Sequence, residues 1–163
     1  MKTAVLGIGN PVLGDDCAGL EAAAVLRGLL AAEPVDSVEV LTTSNAGLDI
    51  IELLTGYARA ILIDSITVED PHPGRIHHLF LADANTNSSG QSAHEISLTG
   101  ALRLAARLGI PMPDTIELYA IEAADTTTLT ETMTPQVVAA AGSVASAIHA
   151  ALKSPQFAGL ETG

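Results

Sequence analysis

Residues 7–16 read GIGNPVLGDD, a glycine-rich stretch that ends in two adjacent carboxylates. A short apolar run over residues 2–6 precedes this stretch, and apolar residues recur at helical spacing over residues 17–30. The pattern predicts a strand, a glycine loop and a helix in succession. Open α/β sheets bind ligands at loops that follow the carboxyl ends of strands, so we expect the functional site here.

Three kinds of glycine loop compete for this stretch. A dinucleotide-binding loop needs its third glycine at position 12, but in this chain the third glycine comes two residues later, at Gly14. The next strand also lacks the acid at its end that would bind a ribose. Gly9 and Gly14 have phosphate-loop spacing, yet Asp15 and Asp16 stand where Lys and a hydroxyl should be and would repel phosphates. We therefore predict a cation or polar-substrate site, in which one carboxylate caps the following helix and the other meets a ligand.

Composition limits the class of protein. A chain of 163 residues that is 48% hydrophobic is long enough for one domain, expected over residues 1–153, with a flexible tail at 154–163. Its formal net charge of -12 disfavours nucleic acid and favours cations or a basic peptide as partners. The single cysteine excludes an internal disulfide and a cysteine-based zinc cluster.

The cellular compartment is also predicted from the sequence. No apolar run approaches the roughly 18 residues of a membrane span. The N-terminus enters a strand pattern at once, without the apolar core of a signal peptide. We expect a cytoplasmic protein with no membrane partner.

Hydrophobic patterns along the rest of the chain predict an α/β fold. The predicted strands are 2–6, 35–41, 58–64, 75–81 and 115–121, and the helices are 17–30, 48–54, 98–108 and 135–152. No helix separates the third and fourth strands, so the fourth is expected at a sheet edge, where it can run antiparallel. The result is a three-layer α/β/α sandwich of about five mostly parallel strands. If the first and third strands are neighbours, Asp16 and Asp64 face one crevice.

Three side chains in this arrangement are candidate metal ligands. Asp16 and Asp64 are predicted at strand ends, and His94 follows a segment, 83–92, that is rich in Asn, Ser and Gly. Two carboxylates and one imidazole suit nickel or zinc and leave coordination positions open for substrate or water. Simpler roles stay open, because Asp16 could cap a helix, Asp64 could hold a loop, and His94 is one of five histidines.

Short motifs in a fixed order resemble one known family. They are GIGN (7–10), GDD (14–16), NAG (45–47), IDS (63–65), SAH (92–94) and TPQV (134–137). This series, which runs from residue 1 to about 150, is similar to that of the hydrogenase maturation endopeptidases. Members of that family trim a C-terminal peptide from the precursor of the nickel-iron hydrogenase large subunit after nickel insertion. The resemblance implies a hydrolase, an aspartic-type or metal-dependent endopeptidase, with a phosphorylase/hydrolase-like α/β/α fold.

The resemblance also implies site residues. Asp16, Asp64 and His94 match the family's metal-contacting and catalytic residues, with nickel supplied by the precursor and other divalent metals able to substitute in the free enzyme. The hydrogenase large-subunit precursor is then the partner. Loop residues expected to contact substrate are Gly9, Asn10, Asp15, Ser44 and Gly47.

The chain departs from the family pattern at three places. Cys17-Ala18-Gly19 replaces Gly-Val-Gly, and Ala93 replaces a common proline, which predicts a looser histidine loop. No proline follows Glu122, so Glu122 is left out of the predicted site.

Two other functions use the same residues. The first is a non-catalytic metal-binding maturation chaperone, and the second is a thiol hydrolase with Cys17 as nucleophile and His94 as base. We favour a packing role for Cys17, since two nearby carboxylates oppose a thiolate. His77 and His78 alternate across a strand, so at most one of them faces any given site.

Overall fold

The computed structural model describes residues 1–45, 47–81 and 93–154, with the backbone alone at 93–97. The described residues form five strands and four helices that mostly alternate, and a 3-10 turn, Gly14–Cys17, precedes the first helix. In chain order they are β1 (Thr3–Ile8), α1 (Ala18–Ala32), β2 (Val38–Thr43), α2 (Asp49–Leu54), β3 (Arg59–Ile66), β4 (Ile76–Phe80), α3 (Ala93–Leu108), β5 (Thr115–Glu122) and α4 (Pro135–Leu152).

The strands form one sheet in the order β2-β1-β3-β5-β4. The first four of these are parallel, and β4 runs antiparallel to β5 at the edge. The predicted fold class, the edge position of the fourth strand and the pairing of β1 with β3 are confirmed. The chain leaves β1 toward β2 on one side and returns through β3 on the other, so the switch point lies between β1 and β3.

Helices cover both faces of the sheet because its central strands are apolar on both faces. Val5 of β1 and Ile63 of β3 pack with α1 and α4. Leu6 and Leu62, their neighbours in sequence, pack on the opposite face with α2 and α3. Alternation along β3 therefore directs Asp64 toward the α2/α3 face and Ser65 toward the α1/α4 face.

Glycine allows the start of α1 to press against the sheet. A Cβ atom on Gly19 would lie 2.2 Å from the carbonyl oxygen of Ile63 and 2.3 Å from that of Ile8. No side chain fits between these backbones. The contact holds the beginning of α1, and with it the preceding 3-10 turn, over the carboxyl ends of β1 and β3.

By length and composition alone, helix α4 could cross a membrane, so the prediction that no apolar run approaches a membrane span was wrong. In this fold it is a core helix, since Val137, Val144 and Ile148 are buried against α1 and the sheet. Its predicted bounds, 135–152, match the structure.

Three local predictions were wrong. β3 does not end at Asp64 but pairs with β5 as far as Ile66. The first residues of α1 and of the 3-10 turn receive no side-chain cap, so neither adjacent carboxylate caps a helix. Helix α3 begins at Ala93, which places His94 in its first turn rather than on a loop. The segment 83–92 and the tail from 155 lie outside the described residues.

Candidate active site

Asp16 is buried in the turn between β1 and α1. Its Oδ2 accepts a hydrogen bond from the backbone N–H of Asn10 (3.1 Å), and its Oδ1 accepts one from the Ser65 hydroxyl (2.8 Å). A Cβ atom on Gly9 would lie 2.1 Å from the Asp16 carbonyl oxygen. Gly9 therefore lets the loop fold back closely enough for Asn10 to reach the carboxylate.

Asp64 lies two residues before the end of β3 and is also buried. Its Oδ1 accepts a hydrogen bond from the backbone N–H of Ser65 (2.8 Å). Ser65 thus donates to both acids, through its amide to Asp64 and through its hydroxyl to Asp16. The structure brings the two predicted carboxylates to one residue at the switch point between β1 and β3.

The contact of Ser65 with Asp16 was not predicted from the sequence. Ser65 follows Asp64 directly, and neighbouring residues in a strand point to opposite faces, so the sequence pattern separates the two side chains. Its contact with Asp16 joins positions that are 49 residues apart. Only the geometry of the turn at residues 14–17 reveals this contact between Ser65 and Asp16.

His94 lies in the first turn of α3. Its side chain belongs to the part of the chain that the structure leaves undescribed. Its role as metal ligand or catalytic residue stays a prediction.

Asp15 has a different environment from its neighbour. It is buried, and its carboxylate accepts hydrogen bonds from Ala124 N (2.8 Å), Thr134 N (2.6 Å) and Thr134 Oγ1 (2.8 Å). These donors lie at the two ends of the connection between β5 and α4, residues 123–134, which we call the strap. Asp15 therefore anchors the strap to the glycine loop. Its predicted contact with substrate stays a prediction.

The other predicted substrate residues lie on loops at the same edge of the sheet. Gly9 and Asn10 follow β1, and Ser44 and Gly47 follow β2. The loops are ordered by their own side chains, since Asn10 Oδ1 accepts from Val12 N (3.1 Å) and Asn45 Oδ1 accepts from Gly47 N (3.2 Å). Their contacts with substrate stay predictions.

Cys17 is half-buried beside the site. Burial raises the pKa of its thiol, and the charges of Glu21 and Asp16 raise it further. A raised pKa disfavours the thiolate that a nucleophile needs. The environment of Cys17 therefore favours the packing role over the thiol hydrolase.

Cys17→Ser should keep cleavage activity close to the wild-type value, because serine has nearly the same volume and no thiolate chemistry is required. The measurement is turnover of the precursor by the variant, together with wild-type turnover after iodoacetamide treatment. A folded but inactive Cys17→Ser variant, with inactivation of the wild type by iodoacetamide, would instead establish the thiol hydrolase.

Glu122 is a buried carboxylate at the end of β5. It accepts hydrogen bonds from His72 N (2.6 Å) and His77 Nε2 (2.8 Å), and Arg75 Nη1 lies 3.7 Å away. The His72 backbone N–H is the main cause of the lowered pKa of Glu122, with His77 and Arg75 adding to it. Glu122 thus fastens β4 and the preceding loop to β5.

The two strand histidines have separate partners. His77 Nε2 meets Glu122, whereas His78 Nε2 lies 2.8 Å from Glu117 Oε2 and its ring stacks on Tyr119. They point to opposite faces, as the alternation predicted.

Glu122→Gln should lower the melting temperature most at neutral pH. A carboxyl whose pKa is lowered by folding adds stability above its ordinary pKa of about 4.3, and this stability is lost as pH falls through the lowered value. Thermal unfolding between pH 7 and pH 3 should show the gap to wild type narrowing as the buffer becomes acidic. Glu52→Gln, on the exposed surface of α2, is the control, and a pH-independent gap for Glu122→Gln would contradict this role.

The carboxyl groups of Asp16 and Asp64 could supply part of the coordination shell of a metal ion. Among the residues whose side chains are described, no three His, Cys, Asp or Glu side chains are grouped to hold an ion. Asp16 and Asp64 supply oxygens of the kind that borderline divalent metals accept, and an ionised carboxylate offers about four lone-pair sites. Two carboxylates alone leave part of such a metal's coordination unfilled.

Comparison with known proteins relates this geometry to one family. A family model described as hydrogenase maturation protease (HycI) matches residues 25–153. The matched range contains Asp64 and His94 and begins after the glycine loop. A search of curated protein sequences found no match.

Solved structures match nearly the whole chain. HybD from E. coli, a hydrogenase maturating endopeptidase, has a TM-score of 0.76 at 24% identity, covering 94% of this chain and 93% of its own. The maturation protease HybD from Thermococcus kodakarensis gives 0.71 at 25%, covering 94% and 100%. HycI from the same organism gives 0.63 at 20%, covering 94% and 99%. These proteins thus share the fold of this chain over most of its length.

Proposed function

Since the chain belongs to the hydrogenase maturation protease family, whose members cleave the C-terminus of the hydrogenase large subunit, we propose that its substrate is the nickel-loaded precursor of a nickel-iron hydrogenase large subunit. The enzyme is a hydrolase that removes the C-terminal peptide. The observation that carries the proposal is the pair of hydrogen bonds that Ser65 donates at the switch point, from its hydroxyl to Asp16 and from its backbone N–H to Asp64.

In the proposed mechanism nickel is part of the substrate. Asp16 and Asp64 contact the ion while the precursor still holds it, and His94 completes the set. This contact positions the peptide bond to be cut in the crevice between β1 and β3. A carboxylate oxygen that is not bound to the ion accepts the proton of the attacking water, so the acids serve both as metal ligands and as proton acceptors.

Hydrogen bonds from Ser65 and Asn10 hold the Asp16 carboxyl group in a fixed position before substrate arrives. A group that is already positioned costs no reorganisation when a cation approaches. The chain's net charge of -12 adds long-range attraction for a cationic group. We place the reaction in the cytoplasm, with the precursor as partner and with neither nucleic acid nor membrane involved.

The protein should cut nickel-loaded precursor and leave nickel-free precursor intact. Asp16, Asp64 and His94 leave coordination positions of the ion open, so the substrate is expected to bring the metal with its remaining ligands, and binding selects the loaded state. Intact-mass measurement of each precursor after incubation, with a chelator present in the nickel-free sample, reports the loss of the C-terminal peptide.

Two outcomes would contradict the proposal. Equal cleavage of both precursors would show that recognition does not depend on nickel. Tight binding of the nickel-loaded precursor without any loss of mass would identify a maturation chaperone in place of a protease.

A further inference from the structure

Two apolar side chains are held side by side at the rim of the site. Leu129 of the strap is 79% exposed and Val12 of the glycine loop is 45% exposed. The backbones that carry them are bridged, since Thr130 N donates to the Val12 carbonyl (3.0 Å) and Gly14 N donates to the Thr130 carbonyl (2.7 Å). We call Val12 and Leu129 the apolar pair.

Hydrogen bonds at both ends of the strap and within it hold the apolar pair in its exposed position. Asp15 fixes both ends of the strap through Ala124 and Thr134. Within the strap, Asp125 Oδ1 accepts hydrogen bonds from Thr127 N (2.8 Å) and Thr128 N (3.1 Å), which sets the turn just before Leu129. Exposure of Leu129 to water is unfavourable for the isolated chain, and apolar side chains that are grouped on the surface, rather than scattered singly, mark binding surfaces.

The apolar pair lies beside the 3-10 turn Gly14–Cys17. Gly14, which is bridged to the strap, begins the 3-10 turn that contains Asp16. A protein chain that reaches Asp16 from this side therefore passes the pair.

Basic side chains are distributed unequally between the two ends of the sheet. The seven Lys and Arg side chains all belong to described residues, and six of them lie toward the amino ends of the parallel strands. Some of the six come before a strand or at its first residue. The others lie in the later part of a helix or just beyond its end. These six are Lys2, Arg27, Arg59, Arg103, Arg107 and Lys153. The seventh, Arg75, faces Glu122.

The end of the sheet that carries the apolar pair holds acidic residues instead of unpaired basic ones. The loops at the carboxyl end of the sheet and the turns that begin its helices carry exposed acids on several elements. Among them are Asp49, Glu69, Asp70, Asp125 and Glu131. A partner segment that docks here is selected for basic side chains around its apolar ones.

We propose that Val12 and Leu129 form the docking surface for a segment of the large-subunit precursor in which apolar side chains are flanked by Lys or Arg. This inference rests on the proposed function, because it names the precursor as the occupant. In this inference the apolar pair contributes to substrate affinity, whereas the acids at the switch point carry out the chemical step.

The test is the double variant Val12→Ser/Leu129→Ser, assayed for precursor binding and for cleavage. Both side chains are exposed, so the melting temperature and kcat should stay at wild-type values, whereas Kd and KM for the precursor should rise about tenfold, the scale for losing interface anchors. The matched control is Leu108→Ser, which removes a leucine that is 64% exposed at the far end of α3 and should leave Kd unchanged. Raising the salt concentration should weaken wild-type binding as well, because the acids at this end of the sheet are exposed.

Several results would overturn the inference. One is a Kd and KM for the double variant within twofold of the wild type. Another is a change of oligomeric state in the double variant, which would show that a second copy of this chain covers the pair. If the wild type binds the precursor without cutting it, the proposed function fails, yet the ratio of the two Kd values still decides the docking surface. If the wild type does not bind the precursor, both proposals fail.

Discussion

Asp16→Asn is expected to lower kcat/KM for the nickel-loaded precursor by about a thousandfold, the scale for removing a group that acts directly on the reacting centre. The amide keeps the size of the carboxylate but loses the charge that a divalent cation needs. It also cannot act as a proton acceptor. Loss of activity at this scale should therefore occur in a folded protein.

The stability of this variant can be predicted separately. The amide oxygen can accept from Ser65 or from Asn10, but the amide nitrogen cannot accept from the other donor. One lost hydrogen bond of about 1 kcal/mol corresponds to a decrease in Tm of roughly 2–4 °C for a domain of this size. Asp114→Asn, an exposed change before β5, is the control for charge removal. Wild-type turnover of folded Asp16→Asn would remove Asp16 from the site.

Gly19→Ala should have the largest effect on stability. The added methyl group would lie 2.2 Å from the Ile63 oxygen and 2.3 Å from the Ile8 oxygen, and both belong to backbone that cannot rotate away. Relief requires α1 to move off the sheet. Overpacking of this kind costs about 3 kcal/mol, and we expect a decrease in Tm of roughly 6–12 °C.

The matched control lies in the same helix. A methyl group on Gly28 meets nothing within 4 Å, and alanine is the better helix former by about 0.5–1 kcal/mol. Thermal unfolding should therefore show Gly28→Ala equal to or above the wild type and Gly19→Ala well below it. A Tm for Gly19→Ala at or above the wild-type value would show that α1 does not pack on the sheet as described.

The strand order could be predicted because it follows from local patterns and simple connection rules. Apolar runs identified the central strands, and the missing helix before β4 put that strand at the edge. Helix α4 was predicted to the residue, since Pro135 begins it at a position where proline is favoured.

The different contacts of Asp15 and Asp16 could not be predicted from the sequence. The two acids are adjacent and chemically identical, and both precede a helix, so capping was the natural expectation. Their actual partners are distant in sequence: Asp15 meets Ala124 and Thr134, and Asp16 meets Ser65. Only the folded chain shows which acid anchors the strap and which belongs to the crevice.

The end of β3 shows the same limit. A carboxylate after an apolar run resembles a strand end, but pairing with β5 continues to Ile66 because the neighbouring strand offers hydrogen bonds that the sequence does not reveal. This extension puts Ser65 within the strand, where its hydroxyl reaches Asp16.

Anomalous diffraction from crystals of the wild-type protein soaked with Ni²⁺ or Cd²⁺ tests most directly whether Asp16 and Asp64 contact metal. The expected result is one peak at coordination distance, about 2.0–2.3 Å, from a carboxylate oxygen of each acid, with a ring nitrogen of His94 as the third ligand. The other carboxylate-imidazole pair at this end of the sheet, Glu122 and His77, should remain without a peak. A peak at Glu122 and His77, with none between Asp16 and Asp64, would contradict the assignment of the site.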